Sequence, residues 1–130
     1  MPWSSAPARD IYVQGYGQSN DTSHITLPSM EGQAAAMVAA LQAAGIDPRK
    51  VDAINAHGTG TQVNDRTETA AIRVVFGDRA GHIPISASKA MHGHLLGAAG
   101  APECVLSLLA MQYEIALPTM HLQRAHRATP

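Results

Sequence analysis

Two histidines and a lysine are the residues whose types and spacing could do chemistry. His57 ends the apolar run of "AINAHGTGT", and His94 stands in "SKAMHGHLLGAAG" five residues after Lys89. Each histidine falls where a strand pattern gives way to a loop or helix, and such strand ends hold ligands in open α/β sheets. Gly58 and Gly60 let the backbone approach a bound group. Thr59 and Thr61 add hydroxyls that donate to or accept from a polar ligand. His94 opens an apolar helix pattern, so the positive end of the helix dipole would disfavour its imidazolium. Lys89 would push the same way at close range. A neutral imidazole can donate a hydrogen bond to an oxyanion without being consumed as an acid.

Plainer readings fit these residues too. Either histidine could simply be hydrogen-bonded at a strand end, and "GHLLGAAG" could be a close-packed helix. "HGH", His92 to His94, could contribute two metal ligands, but no matched Cys/His spacing supplies the third and fourth that a site requires. Cys104 lies in an apolar helix pattern, where a cysteine is ordinarily an inert core residue.

The elements that must position these residues follow from periodicity. "DIYVQGYG" (10–17) reads as a strand and "QSNDTSHITLPS" as a loop. The segment from Met30 reads as a helix, with Ala34, Met37, Val38, Leu41 and Ala44 on one face, Gly45 as its stop and Pro48 beyond it. "VDAINAH" (51–57) reads as a buried strand. A second helix starts at Asp65, which stands three residues before Glu68 in a capping-box-like pattern. Thr69, Ile72, Val75 and Phe76 line its face, and Gly77 ends it. "HIPISA" reads as a strand. The run from His94 to Gln112 reads as a helix apolar nearly all round, hence buried on most sides, with Pro102 marking a kink or a new start. "EIALPT" reads as a last strand. Alternating strands and helices imply a layered α/β fold.

Composition sets the frame. The 130 residues suffice for one small domain, with 45% apolar and 15% charged residues, which places the chain among globular proteins. A net charge of −1 without a dense basic run gives no reason to expect nucleic acid or an anionic membrane surface as a partner. No apolar stretch reaches the roughly 20 residues of a membrane span, and "MPWSSAPARD" lacks a signal peptide's apolar run. The single cysteine excludes an internal disulfide. A cytoplasmic setting is the expectation. Aromatic residues are only 4% of the chain. Small side chains bury little area each, so such a core often gains by packing against a partner.

Taken in order, "NAHGTGT", "ND..E" (Asn64, Asp65, Glu68) and "SASKAMHGHLLGAAG" resemble the C-terminal half of a β-ketoacyl-acyl-carrier-protein synthase. "GYGQSNDTSHITLPSMEGQ" resembles the segment before them, and the likeness covers about residues 11–122. The resemblance implies a thiolase-like fold of two similar halves, layered α-β-α-β-α, usually in a dimer. It implies the decarboxylative condensation of malonyl-carrier protein with an acyl group held on a cysteine. His57 and His94 would bind the malonyl thioester oxygen, and Lys89 would orient and tune the second histidine. Asp65, Glu68 and Glu103 would form a polar network around that lysine, and Thr59 and Thr61 would contact the pantetheine arm. No metal and no bound cofactor is implied; substrates ride on the phosphopantetheine arm of acyl carrier protein.

The sequence departs from the family pattern in several places. No residue matches the family's nucleophilic cysteine, since Cys104 directly follows the acid Glu103. A glycine- and phenylalanine-rich loop has no counterpart, Asn64 stands where many members have glycine, and His92 where many have threonine. Three expectations follow. The chain alone forms no carbon–carbon bond, because nucleophilic catalysis requires a nucleophile. A cysteine-bearing ketosynthase half or homologous subunit is a partner, alongside acyl carrier protein. The apolar segment from His94 to Met111 presents a face for that half. Residues 1–10 are expected to be an extension and 123–130 a frayed tail. Two other readings stand beside a fragment or split subunit of a synthase: a non-catalytic thiolase-like binding module, and an unrelated hydrolase or metalloprotein built on the histidines.

Overall fold

A computed structural model describes residues 10–22 and 27–122. The expected tail, and all of the expected extension but Asp10, lie outside the described residues.

Helix α1, Met30–Ala44, forms where alanine-rich sequence meets well-made ends. The Ser29 hydroxyl accepts the Gly32 N–H at 3.0 Å, and Glu31 sits favourably at the positive end of the dipole. Gly45 takes the left-handed conformation at φ 65°. Its N–H donates to Gln42 O and that of Ile46 to Leu41 O, the paired closure that needs glycine at the turn. Pro48 opens a short 3₁₀ turn, Pro48–Lys50, that leads into the first strand.

Strand β1, Ile54–Asn55, pairs in parallel with β2, Ile85–Ser86, and Ile54 lies opposite Ile85. Helix α2, Gln62–Phe76, makes the crossover between them. It begins four residues earlier than the Asp65 cap implies. Thr61 is the cap, with extended backbone and its hydroxyl accepting the Asn64 N–H at 3.4 Å. The capping-box reading fails because Glu68 reaches out of the helix to the loop after β1, where two backbone amides outcompete its own helix terminus. Ile72, Phe76 and Ile83 form the buried core, with Met37, Leu41, Val51, Ile54, Val75 and Ala80 packed around it. The core lies where α1 and the inner face of α2 cover the end of the strand pair.

After β2 the chain makes the one-turn helix α3, Lys89–His92, then a 3₁₀ turn, Leu96–Ala98, and helix α4, Gly100–Tyr113. Pro102 falls in the first turn of α4, where its missing N–H breaks no helical bond. It therefore marks a new start, and His94 lies outside the helix.

Three expectations are corrected. Helix α4 was to be buried, but no residue of it is, and Val105, Leu109, Met111 and Tyr113 are exposed. Cys104 is exposed as well, rather than a core residue. An apolar helix is covered only when another layer exists to cover it, and none does among the described residues. The segments 10–17 and 114–119 form no strand, since no strand edge among the described residues pairs with them. The first runs along α1 instead: a Cβ at Gly15 or Gly17 would overlap the backbone of Ala40 or Ala36. The second begins at Glu114 in the left-handed region (φ 54°), and its Thr119 hydroxyl accepts the Ala87 N–H at 3.1 Å.

Candidate active site

The site is assembled at the ends of β1 and β2. Ala56 continues β1, donating its N–H to Ser86 O at 2.8 Å, and His57 is the next residue. Its backbone is held from both sides. Glu68 of α2 accepts the His57 N–H at 2.7 Å on one carboxylate oxygen and the Gly58 N–H at 2.9 Å on the other. Lys89 of α3 donates from Nζ to the His57 carbonyl at 2.6 Å. Gly58 has φ 45°, and a Cβ there would overlap the Ala87 methyl beside β2, so only glycine fits.

Lys89 is 6% exposed, so its charge needs a partner, and Glu103 in the first turn of α4 supplies one in a direct ion pair. The Asn55 amide donates to the Glu103 carbonyl at 3.2 Å and to Ser107 Oγ at 3.1 Å, which ties α4 to β1. The same residues that fix His57 thus also fix the start of α4.

His94 follows the bend at Gly93 (φ 79°) and meets His57 edge-on. The two rings have centroids 5.2 Å apart and an interplanar angle of 82°. His94 Nδ1 accepts the Leu96 N–H at 3.1 Å. A backbone amide can only donate, so the neutral ring carries its proton on Nε2. This contact replaces the helix-dipole argument, because α4 begins six residues further on. The His57 pKa is lowered from the usual 6.5, first by desolvation and then by the Lys89 ammonium, against the opposing pull of Glu68. The lysine thus acts on His57; its hydrogen bonds go to the His57 carbonyl and to Glu103, not to His94.

Of the expected site residues, His57, His94, Lys89, Glu68 and Glu103 converge. Thr59 and Thr61 follow His57 in the same loop with their hydroxyl oxygens 3.0 Å apart, and Thr61 also caps α2. Asp65 stays on the outer side. It accepts from Asn64 Nδ2 at 3.3 Å, and that amide also donates to Glu68 at 3.2 Å, so Asp65 reaches the network only through Asn64. The two halves of "HGH" part: the His92 ring turns to Ser88, 3.1 Å from its hydroxyl, while that of His94 turns to Leu96 N. Asn55 was missed in the sequence. An amide inside an otherwise apolar strand was its signal, since a buried amide must find partners.

The arrangement offers two imidazoles in edge-on contact, a largely buried ion pair behind the backbone of one of them, and two hydroxyls in the loop that follows it. It suits a thioester oxygen that gains negative charge. A model of the beta-ketoacyl synthase C-terminal domain matches residues 11–123. The chain belongs to the beta-ketoacyl synthase family. It is 46% identical over 123 residues to 3-oxoacyl-[acyl-carrier-protein] synthase 2 of Staphylococcus aureus, covering 90% of this chain and 30% of that protein. The solved ishigamide ketosynthase/chain length factor matches with a TM-score of 0.74 at 44% identity, over 78% of this chain and 25% of that one. A type II PKS acyl-carrier protein in complex with its ketosynthase gives 0.74 at 40% identity, over 77% and 25%. The fold is accordingly the C-terminal half of the thiolase-like α/β architecture of ketosynthases. The chain spans about 30% of the length of the curated synthase it matches.

Proposed function

We propose that this chain supplies the decarboxylating half of a β-ketoacyl-acyl-carrier-protein synthase site. The observation that carries the reading is the His57–His94 pair, edge-on at 5.2 Å with His94 Nε2 free to donate. In this mechanism the malonyl thioester oxygen accepts a hydrogen bond from each imidazole. Loss of carbon dioxide leaves the electron pair of the broken C–C bond in an enolate, whose charge rests on that oxygen. Donors already in place stabilise it without reorganisation. The enolate carbon then attacks the acyl thioester carbonyl, and the cysteine thiolate leaves. Burial and then the Lys89 ammonium lower the His57 pKa, Lys89 holds the His57 carbonyl, and Glu68 holds its amide. Thr59 and Thr61 receive the pantetheine arm of the carrier protein.

The acyl-bearing cysteine has no match in this sequence, so a cysteine-bearing ketosynthase segment completes the site, whether from the same polypeptide or another chain. The exposed apolar side of α4 is the surface offered to it. Acyl carrier protein is the substrate-bearing partner, a cytoplasmic dimer is the complete form, and no metal or bound cofactor takes part. The test is carbon dioxide release from malonyl-carrier protein by the completed assembly. His57→Ala and His94→Ala should each slow it by about 100- to 1,000-fold, the loss typical of removing one oxyanion donor. Undiminished release in both variants refutes the reading. The alternative, a non-catalytic module that docks carrier protein or a synthase partner, requires that the assembly release no carbon dioxide while both variants still bind.

A further inference from the structure

The proposed reaction leaves His92, two residues before His94, unused. His92 is the last residue of α3, one position before the Gly93 bend that leads to His94. Its Nε2 lies 3.1 Å from the hydroxyl of Ser88, a residue with no exposed surface. Its Nδ1 is buried and has no hydrogen-bond partner.

Helix α3 has a single turn and no side-chain cap at its start. A turn that short does not hold itself, because fixing its backbone angles costs more than one hydrogen bond returns. The Ser88–His92 bond runs from the residue before the turn to its last residue. Lys89 lies inside that span, and its carbonyl accepts the Gly93 N–H at 2.8 Å. The span therefore contains the residue that grips His57 and ends at the bend that delivers His94. Burying an unpaired ring nitrogen costs stability. A side chain serving only to fill this space would avoid that cost, so the other nitrogen has to explain the histidine.

We propose that His92 is a positioning residue, whose bond to Ser88 locks the α3 turn so that Lys89 meets the His57 carbonyl while His94 meets the His57 ring. This rests on the reading of His57 and His94 as the decarboxylating pair, but its test does not measure that reaction. The groups acting on the His57 ring are Lys89, Glu68, His94 and Glu103; of these Lys89 sits inside the span His92 would lock, and His94 two residues past its end.

The experiment is a nuclear magnetic resonance titration of the histidine-labelled chain, unaltered and as His92→Ala, Ser88→Ala and His92→Gln. With the lock broken, Lys89 retreats. His57 then titrates at higher pH in His92→Ala and Ser88→Ala, and the Overhauser contact between the His57 and His94 rings is lost. Glutamine places an amide where Nε2 was, so His92→Gln restores both signals. An unchanged His57 titration and ring contact in folded His92→Ala overturn the proposal. So does a His92→Gln variant that behaves like the alanine. Should His92→Ala fail to fold, Ser88→Ala removes the same bond with less lost volume and decides the matter alone.

Discussion

Glu68→Gln is the sharpest test of how His57 is held. The carboxylate accepts two backbone amides, His57 N–H at 2.7 Å and Gly58 N–H at 2.9 Å, and the Asn64 amide at 3.2 Å. Glutamine keeps the shape but offers one acceptor oxygen and an NH₂ group. One backbone amide must then face a donor. A hydrogen bond to a charged group contributes about 1.5–3 kcal/mol net. The Gly58 amide is partly buried, whereas water reaches the bond at His57, so the loss should fall near the lower end. We expect about 1.5–2 kcal/mol, read as a lower urea midpoint at unchanged slope. The side chain that matters also moves. A shift of His57 by about 1 Å costs on the order of 100-fold in rate, so decarboxylation by the completed assembly should fall far more than stability does. Both backbone amide resonances should lose the downfield shift of a charge-assisted bond. A Glu68→Gln chain with an unchanged urea midpoint and unchanged His57 and Gly58 amide resonances would refute the clamp.

The remaining predictions concern the same elements. Lys89→Met leaves Glu103 facing a partly buried site without its partner and should cost about 3 kcal/mol in urea unfolding; Lys89→Met with Glu103→Gln should recover part of that loss. Burial and Lys89 lower the His57 pKa, so the folded protein resists the proton that the unfolded chain accepts. This group's stability is therefore complete above the unfolded value of about 6.5 and declines as pH falls from there toward the lower folded value. Decarboxylation should persist below pH 6.5 for the same reason and fail once His57 protonates; a pH profile of the assembly that breaks at or above 6.5 contradicts this. Gly58→Ala combines a positive φ with overlap of the Ala87 methyl, and a loss of about 2–3 kcal/mol is expected in thermal or urea unfolding.

Much of this was legible in the chain itself. Helix α1 announced its C-terminal end, because Gly45 takes the left-handed turn without strain and Pro48 cannot continue a helix. The alternation of strand and helix patterns around α2 implied a layered α/β fold, and the structure then paired β1 with β2 in parallel across that helix. The ordered motifs around His57 and His94 carried the resemblance to the β-ketoacyl synthases, and the family model matched over residues 11–123 bears that resemblance out.

Other features depend on what lies opposite, which no local pattern records. A box of Asp65 with Glu68, or a cap at Thr61, could each have started α2. The choice went to Thr61 because two unpaired amides at the end of β1 stood within reach of the carboxylate. The segments 10–17 and 114–119 have strand-like composition, but a strand exists only where another edge pairs with it, and the described residues provide none. Helix α4 looked like a core helix by its apolar residues; exposure of that face depends on a layer that is not among them. The sequence by itself determined which side chains stand in the family's motifs and in what order they come. Only the tertiary structure decided that Lys89, 32 residues from His57, would grip its carbonyl, that Leu96 would set the His94 tautomer, and that Asp65 would stand aside. Those outcomes turn on ångström-scale distances between segments far apart in the chain, and hydrogen bonds and ion pairs exist only at such distances.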